Sequence, residues 1–285
     1  MTPTVRVSVL MLTYNRPQYI GRAIESVIAQ DLEDWELLIV HDGHHAEIES
    51  IVRNWVAREP RIRYLPRPVV GNIAEATNYG LERARGEYIA IIDDDDYWRI
   101  SSKLCQQVEH LDSHPDCVAC SGGVIVVDQD GVEQMQILKP AEDRDIRRRA
   151  LYANPLRHTA AMFRRMVGGQ PVRYDESLPG FQDWDVWLTL GKSGTLFNFN
   201  EYFTYYQVWE GGGTFHQQKG NTRSALQIVW RHRHDYPGFP GALAMVLMYW
   251  VYARLPLFIR RKSFTSLARL KRTIFSLRPH HRTAA

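Results

Sequence analysis

The chain has 285 residues, 45% hydrophobic and 24% charged, an ordinary globular composition with room for one large domain and an appendage. Its net charge of +3 conceals a split: no acidic residue follows Asp235, so the first 235 residues sum to −6 and the last 50, with nine Lys or Arg, to +9. The basic tail has no recognisable nucleic-acid reading module, and Cys105, Cys117 and Cys120 do not make a disulfide framework.

Residues 1–6 lead straight into a strand-like run, so no signal peptide is expected and the reducing cytoplasm is the expected compartment. Residues 7–12 read as a first buried strand. It runs into Thr13-Tyr14-Asn15-Arg16-Pro17, where Asn15 is placed to cap a helix and Pro17 fits the first turn. Ile20, Ala23, Ile24, Val27 and Ile28 then recur at helical spacing. A second strand spans 35–40 and ends in His41-Asp42-Gly43. Ile48, Ile51, Val52, Trp55 and Val56 mark a second helix, 61–65 a third strand, and 74–85 a third helix stopped by Gly86. The apolar run 88–92 then drives into Asp93-Asp94-Asp95-Asp96, with Tyr97-Trp98 behind. This alternation predicts an α/β domain: a mostly parallel sheet, helices on both faces and right-handed crossovers.

Further on, Ser101 is placed to cap a helix through Leu104, Val108 and Leu111. Residues 117–128 read as a strand in which Cys117 and Cys120 are core residues and Gly122-Gly123 permits a bulge. Residues 144–149 form a charged surface stretch, and 180–190 open a helix. Gly211-Gly212-Gly213 through Gly220 reads as a mobile loop.

Four consecutive carboxylates at the end of a buried strand repel one another unless a cation sits among them. Ligands of open α/β sheets bind at the carboxyl ends of the strands. All-oxygen donors suit Mg2+ or Mn2+, with magnesium held by one or two carboxylates and substrate phosphates. The alternative is a solvated acidic turn; the strand in front and the aromatic pair behind favour the metal–phosphate site.

VSVLMLTYNRPQYIGRAIESVIAQ, LLIVHDG, GLERARGEYIAIIDDDDYW and QDWDVWL occur in that order, and together, over about residues 5–208, they resemble the family 2 glycosyltransferases of the GT-A fold. The resemblance implies a Rossmann-like GT-A domain, a nucleotide-sugar donor (a UDP-sugar first), Mn2+ or Mg2+ bound through a DxD motif, and inversion at the anomeric carbon. It sets Thr13, Tyr14, Asn15 and Arg16 at the nucleotide and Asp42 beside the base. Asn78, Asp93 and Asp94 fall along the nucleotide sugar. Asp93 and Asp95 are the two acids of the DxD, the second on the metal, with Asp96 as an auxiliary ligand. Asp183 inherits the role of catalytic base, with Asp185 as the fallback. The attacking hydroxyl needs a positioned proton acceptor; the competing reading is that Asp183 only caps its helix.

Departures from the pattern bear on the donor. His41 stands where the family often has an acid, Gln182 where it has Glu, and Thr77-Asn78 where it has Arg-Asn, which removes a basic contact. The family often places a histidine after a tyrosine-rich strand; here Tyr205-Tyr206-Gln207-Val208 leads to Trp209, and His216 is the substitute candidate for the metal or a phosphate. Arg164-Arg165 and Arg147-Arg148-Arg149 are candidates for an acceptor phosphate, with solvation as the alternative. Tyr97, Trp98 and Trp184 are candidates for stacking on sugar rings, and Trp187 reads as core. Two other functions stay open. A nucleotidyltransferase would want a glycine- and basic-rich loop after the first strand to grip a triphosphate, which residues 13–17 lack. A non-catalytic nucleotide-sugar-binding scaffold is the other.

Residues 241–253 are thirteen without a charge, fewer than the about 20 that a membrane span needs. Leu267, Leu270, Ile274 and Leu277 repeat at helical spacing with Arg269, Lys271 and Arg272 between them. The expected division is therefore a catalytic domain over 1–235 and a basic amphipathic helical tail over 236–285. The tail is expected to lie on the anionic inner face of the plasma membrane, with a glycan or lipid-linked acceptor nearby. Packing of the tail on the body is the alternative.

Overall fold

The computed structural model describes residues 5–208, 218–252 and 254. The first part follows the expected alternation: β1 (Val7–Thr13), α1 (Pro17–Ile28), β2 (Trp35–Asp42), α2 (Ala46–Val56), β3 (Ile62–Arg67), α3 (Ile73–Leu81) and β4 (Tyr88–Asp93). β1 lies between β2 and β4 and pairs with both in parallel, and β3 extends the sheet beyond β2. The three inner strands are buried almost throughout, as a sheet covered on both faces requires. Side chains on one face, including Val7, Val9 and Met11, pack with α1 and α2. Leu10, Leu38 and Ile89 on the other face pack with α3. The period of two in a strand assigns neighbours to opposite layers.

The chain continues through β5 (Tyr97–Trp98), α4 (Lys103–Ser113), β6 (Cys117–Val127), β7 (Glu133–Ile137), α5 (Asp143–Arg149) and β8 (Met162–Arg164). A two-strand ribbon of β9 (Met166–Val167) and β10 (Gln170–Pro171) precedes α6 (Gln182–Leu190), β11 (Thr195–Gln207), α7 (Gln218–Arg231) and α8 (Phe239–Tyr252). The nine-stranded sheet has the order β3-β2-β1-β4-β8-β6-β11-β5, with β7 on β6. β8 is antiparallel to both β4 and β6, β5 is antiparallel to β11, and β7 to β6; the remaining strands run one way. The sheet is mostly parallel, and its strand ends point the functional loops to one edge.

Several local expectations change. Asn15 does not cap α1: Arg16 stands at the cap position with no side-chain cap, and Pro17 opens the helix. Ser102, not Ser101, precedes α4, because the Ser101 hydroxyl is spent on Asp31. α3 ends at Leu81, before Gly86. Gly86 is required for another reason: a Cβ there would come 2.4 Å from the Ser8 backbone nitrogen. The Ser8 hydroxyl accepts from the Arg85 and Gly86 amides, drawing the chain onto β1. Residues 144–149 are helical, and Arg147 donates to the Gly191 and Gly194 carbonyls.

The division at residue 235 also shifts. Ala242 and Val246 of α8 are buried with Trp184, Leu188, Ile228 and Tyr236 in one cluster. The inner face of α8 therefore belongs to the body. No helix of the described residues is long and apolar enough to cross a membrane. The amphipathic pattern over 267–277, the glycine run 211–213 and His216 lie outside the described residues.

Candidate active site

β4 delivers the chain into a tight turn closed by the Asp96 amide donating to the Asp93 carbonyl at 3.2 Å. The four aspartates alternate in exposure along it. Asp93 keeps 40% of its side chain open to solvent and Asp95 keeps 12%, while Asp94 and Asp96 are buried. Arg16, just before α1, reaches across and ion-pairs with both Asp94 and Asp95. Burial pushes the Asp94 carboxyl up to about 7 against the pull of Arg16. Burial and the neighbouring aspartates drive the Asp96 carboxyl well above the usual range. Asp96 Oδ1 accepts the Gln207 amide at 2.8 Å and so ties the turn to β11.

Two expectations are corrected here. Asp96 is built into the structure beneath the turn and does not reach outward as an auxiliary ligand. Asp94 meets Arg16 and not a solvent-facing donor, because the turn directs its side chain inward. The exposed donor set, Asp93 with Asp95, suits a cation held by two carboxylates together with substrate phosphates. Among the described residues no group of three His, Cys, Asp or Glu is placed to hold a metal by itself.

On the nucleotide side, Thr13 is buried at the end of β1, whereas Tyr14 and Asn15 are exposed. Tyr14, Gly43 and Val69 converge: a Cβ on Gly43, at φ +134°, would lie 2.6 Å from Val69 Cγ2 and 3.3 Å from Tyr14 Cε2. Asp42 is half-committed to the wall of this crevice. Its carboxylate accepts from the Val70 amide at 3.2 Å and the Gly71 amide at 3.0 Å, and pairs with Arg67. His41 is buried, its Nδ1 2.7 Å from the Tyr64 hydroxyl, and burial lowers its pKa. Asn78 is corrected out of the site. Its amide donates to the Tyr174 carbonyl at 2.9 Å and to Glu176, and its oxygen accepts the Tyr174 amide at 2.8 Å. It fastens α3 to the segment before α6.

α6 opens from Phe181 at φ 57°, ψ 29°, the one non-glycine residue with positive φ among the described residues. The Phe181 carbonyl accepts from the Trp184 and Asp185 amides, which holds that conformation. Asp183 therefore sits inside the first turn and is not the cap. Its Oδ2 accepts from Asn154 Nδ2 at 2.5 Å. Two residues on, Asp185 points the other way. It is buried, with Oδ2 2.9 Å from Arg231 and Oδ1 3.0 Å from His232 Nε2. Asp185 anchors α7 to the body and is not available as the fallback base.

Residues 154–159 connect these two regions and were not singled out in the sequence. Their backbone is clamped on several sides. Arg157 exchanges hydrogen bonds with the Ser121 hydroxyl, the Pro155 carbonyl accepts from Asn198, and the Thr159 carbonyl accepts from Trp98 Nε1 at 3.0 Å. The segment presents Asn154 to Asp183, and His158 Nδ1 3.9 Å from Asp93 Oδ1. His158 Nε2 lies 3.1 Å from the Tyr174 hydroxyl, whose pKa is raised well above the usual value, by burial first and by the charges of Asp183 and Asp93 after it. One segment thus touches Asp183 through Asn154, and Asp93 and Tyr174 through His158. The only sequence cue was a polar Asn154…Arg157-His158 set between apolar residues, without periodicity.

The aromatic and arginine candidates are accounted for otherwise. Trp98 and Trp184 are buried, and Trp184 Nε1 donates to the Ala150 carbonyl at 2.7 Å. Trp187 is in the core, as expected. Tyr97 stacks on Tyr205 with Arg22 over its ring. Arg164 donates to the Cys117 and Leu111 carbonyls and Arg165 to that of Gly86, so both are structural.

The aspartates lie at the carboxyl end of a parallel strand, where open α/β sheets bind their ligands. The chain belongs to glycosyl transferase family 2, whose sequence model matches residues 8–168, more than half its length. It is a glycosyltransferase of the GT-A fold. Among its relatives, an uncharacterized protein, Rv1520, of Mycobacterium tuberculosis is 29% identical over 249 residues, covering 80% of this chain and 70% of its own. The amylovoran biosynthesis glycosyltransferase AmsE of Erwinia amylovora is 28% identical, covering 66% of this chain and 70% of its own. Among solved structures, S. aureus TarS 1-349 in complex with UDP-GlcNAc superposes with a TM-score of 0.67 at 16% identity, over 94% of this chain and 81% of that one. The mannosyltransferase PcManGT from Pyrobaculum calidifontis, in complex with GDP-Man and Mn2+, gives 0.63 at 18% identity, over 93% and 80%. At these identities the two structures speak for the fold.

Proposed function

We propose that the protein is an inverting, metal-dependent glycosyltransferase that moves a sugar from a nucleotide-sugar donor, a UDP-sugar first, to a hydroxyl of a glycan or lipid-linked acceptor. The observation that carries this is a pair of partly exposed carboxylates, Asp93 and Asp183, which one clamped segment reaches through His158 and Asn154. Asp183 lies within the first turn of α6 with one oxygen held by Asn154, which orients the carboxylate toward an incoming hydroxyl. The hydroxyl attacks the anomeric carbon on the face opposite the diphosphate. The bond from that carbon to the diphosphate oxygen breaks, the electron pair leaves with the phosphate, and Asp183 takes the hydroxyl proton. Asp95 and Asp93 would hold a divalent cation, which when bound supplies Lewis-acid stabilisation to the departing diphosphate. Tyr14, Val69 and Asp42 form the wall for the base and ribose. Neighbours that bind UDP-GlcNAc and GDP-Man support a nucleotide-sugar donor.

Thermal-shift titration with UDP- and GDP-sugars, with and without Mn2+, tests this, because a ligand of the folded state raises Tm. Stabilisation by one nucleotide sugar, strengthened by Mn2+, is expected. A protein stabilised by none of them, or equally by each with and without metal, would sink the donor or the metal assignment respectively.

The setting of the reaction is read from α8. Its outer residues Leu247, Met248, Tyr249, Trp250 and Val251 are all at least 40% exposed, and Trp230 of α7 is 55% exposed. Tyr and Trp favour membrane–water interfaces, and the sequence that follows carries nine basic residues and no acid. That combination supports docking of this face on an anionic membrane surface, inner leaflet included, and an acceptor presented there. Sedimentation with anionic vesicles at low salt is expected for the full chain. Retention in the supernatant would count against it.

A further inference from the structure

The aspartate turn after β4 is met by a cation of the chain itself. Arg16 ends the β1–α1 connection at φ −125° and ψ 61°, with Pro17 opening the helix behind it. Its carbonyl accepts the Tyr19 amide at 3.3 Å, so its backbone is tied to the first turn of α1. The guanidinium spans two neighbouring carboxylates: Nη2 pairs with Asp94 Oδ1 and Nη1 with Asp95 Oδ2. The planar fork of an arginine suits such a bridge, where the point charge of a lysine does not.

The two arms of the bridge are unequal. The Asp94 side chain is wholly buried, whereas that of Asp95 is 12% and that of Arg16 27% exposed. Separating Arg16 from Asp94 would strand a buried carboxylate, which is strongly destabilising. Separating it from Asp95 leaves an acid that water or another cation can reach, which costs far less. Asp94 is therefore the anchor of Arg16, and Asp95 is its exchangeable contact. Asp95 is also the residue given to the metal above. On Oδ2 a divalent ion and the guanidinium compete for one oxygen; on Oδ1 they share one carboxylate and repel each other.

We propose that Arg16 guards the metal site: it holds Asp95 against a bare divalent ion and yields it when a nucleotide diphosphate brings further oxygen ligands. Arg16 has this role only if Asp93 and Asp95 hold the cation, as proposed above. The free protein then takes Mn2+ poorly, and metal and nucleotide enter together, because phosphate oxygens supply the donors that make the exchange favourable. By linkage, Mn2+ tightens the nucleotide by the same factor as the nucleotide tightens Mn2+.

Mn2+ binding to the full chain is measured by calorimetry and by electron paramagnetic resonance of the free ion. Each protein is titrated without nucleotide, then with saturating UDP or GDP, whichever stabilises the wild type. Arg16→Gln should bind Mn2+ alone about tenfold more tightly than wild type or better, the share of one charge-assisted contact. Wild type should need the nucleotide to reach comparable affinity. Ligand-free Arg16→Gln should melt below wild type, since Asp94 has lost its cation, and Mn2+ alone should raise its Tm more than that of wild type. Arg16→Lys, whose ammonium can stay on Asp94 without spanning to Asp95, should also gain Mn2+ affinity, and it carries the decision if Arg16→Gln does not fold. Adding Asp95→Asn to the Arg16 variant should remove the gain. Mn2+ affinity in the Arg16 variant equal to or below wild type would make Arg16 a residue that orients Asp95 for the ion, and would overturn the proposal. So would a gain that survives Asp95→Asn, or a wild type that binds Mn2+ equally with and without nucleotide. In those three cases the metal stays and the guard alone fails. Mn2+ bound by no variant, with or without nucleotide, removes the metal itself and the guard with it.

Discussion

The aspartate turn after β4 and the first turn of α6 use the same residue in the same alternation, and in both every second carboxylate is withdrawn from the surface. Asp93 and Asp95 keep part of their side chains exposed while Asp94 and Asp96 are buried. Asp183 keeps part of its surface exposed and is held by Asn154, while Asp185 is buried against Arg231 and His232. The two regions differ in what the withdrawn acids do. In the turn Asp94 shares Arg16 with Asp95, and Asp96 holds β11. In the helix, Asp185 fastens a distant element to the body. An acidic cluster here is half reactive surface and half fastening, and only burial separates the halves.

The comparison breaks most visibly at the base. Asp183→Asn keeps the acceptor oxygen for Asn154 but cannot take a proton. Turnover should fall by about 10²–10⁴-fold, the span of general-base contributions, with donor-induced thermal stabilisation unchanged. Full activity in this variant would make Asp183 structural.

The turn is tested by pairing an open acid with a buried one. Asp95→Asn should cut turnover by on the order of 10²-fold, as loss of one group stabilising transition-state charge does. It should also abolish the extra stabilisation that Mn2+ gives with nucleotide. Asp96→Asn keeps an acceptor for the Gln207 amide and should leave turnover within a few-fold. Equal losses in the two variants would erase the division between exposed and buried aspartates.

Stability should show the reverse ranking on α6. Asp185→Ala strands His232 and half-exposed Arg231, so unfolding in urea should come earlier by on the order of 2–3 kcal/mol, the low end for a broken buried pair. Asp183→Ala should change stability far less.

The smallest effect concerns a buried cation remote from the carboxylates. Lys103 is wholly enclosed, its amine 2.7 Å from Gln107 Oε1 and over the Trp98 ring, and burial lowers its pKa from 10.5 to about 7. The unfolded chain holds this proton below 10.5 and the folded protein only below about 7. Folding therefore releases a proton between those values, and the group's contribution to stability declines as pH falls through that window, then levels off. Lys103→Met should remove the decline. The variant should be more stable than wild type at pH 7 by on the order of 2 kcal/mol, with the advantage shrinking toward pH 10. A constant difference across that range would refute the assignment.

Much of this was legible in the order of residues. The βαβ alternation, the end of β4 in aspartates, the helix behind Asp183 and the family resemblance are local patterns, written in periods of two and 3.6 and in short contiguous motifs. What tertiary structure alone decided is which acid keeps contact with solvent and what the others meet. Asn78 was withdrawn to Tyr174, 96 residues away, and Asp185 to His232, 47 away. The segment 154–159 has no periodicity of its own. Its conformation is imposed by side chains from β5, β6 and β11, and with it the approach of Asn154 to Asp183 and of His158 to Asp93.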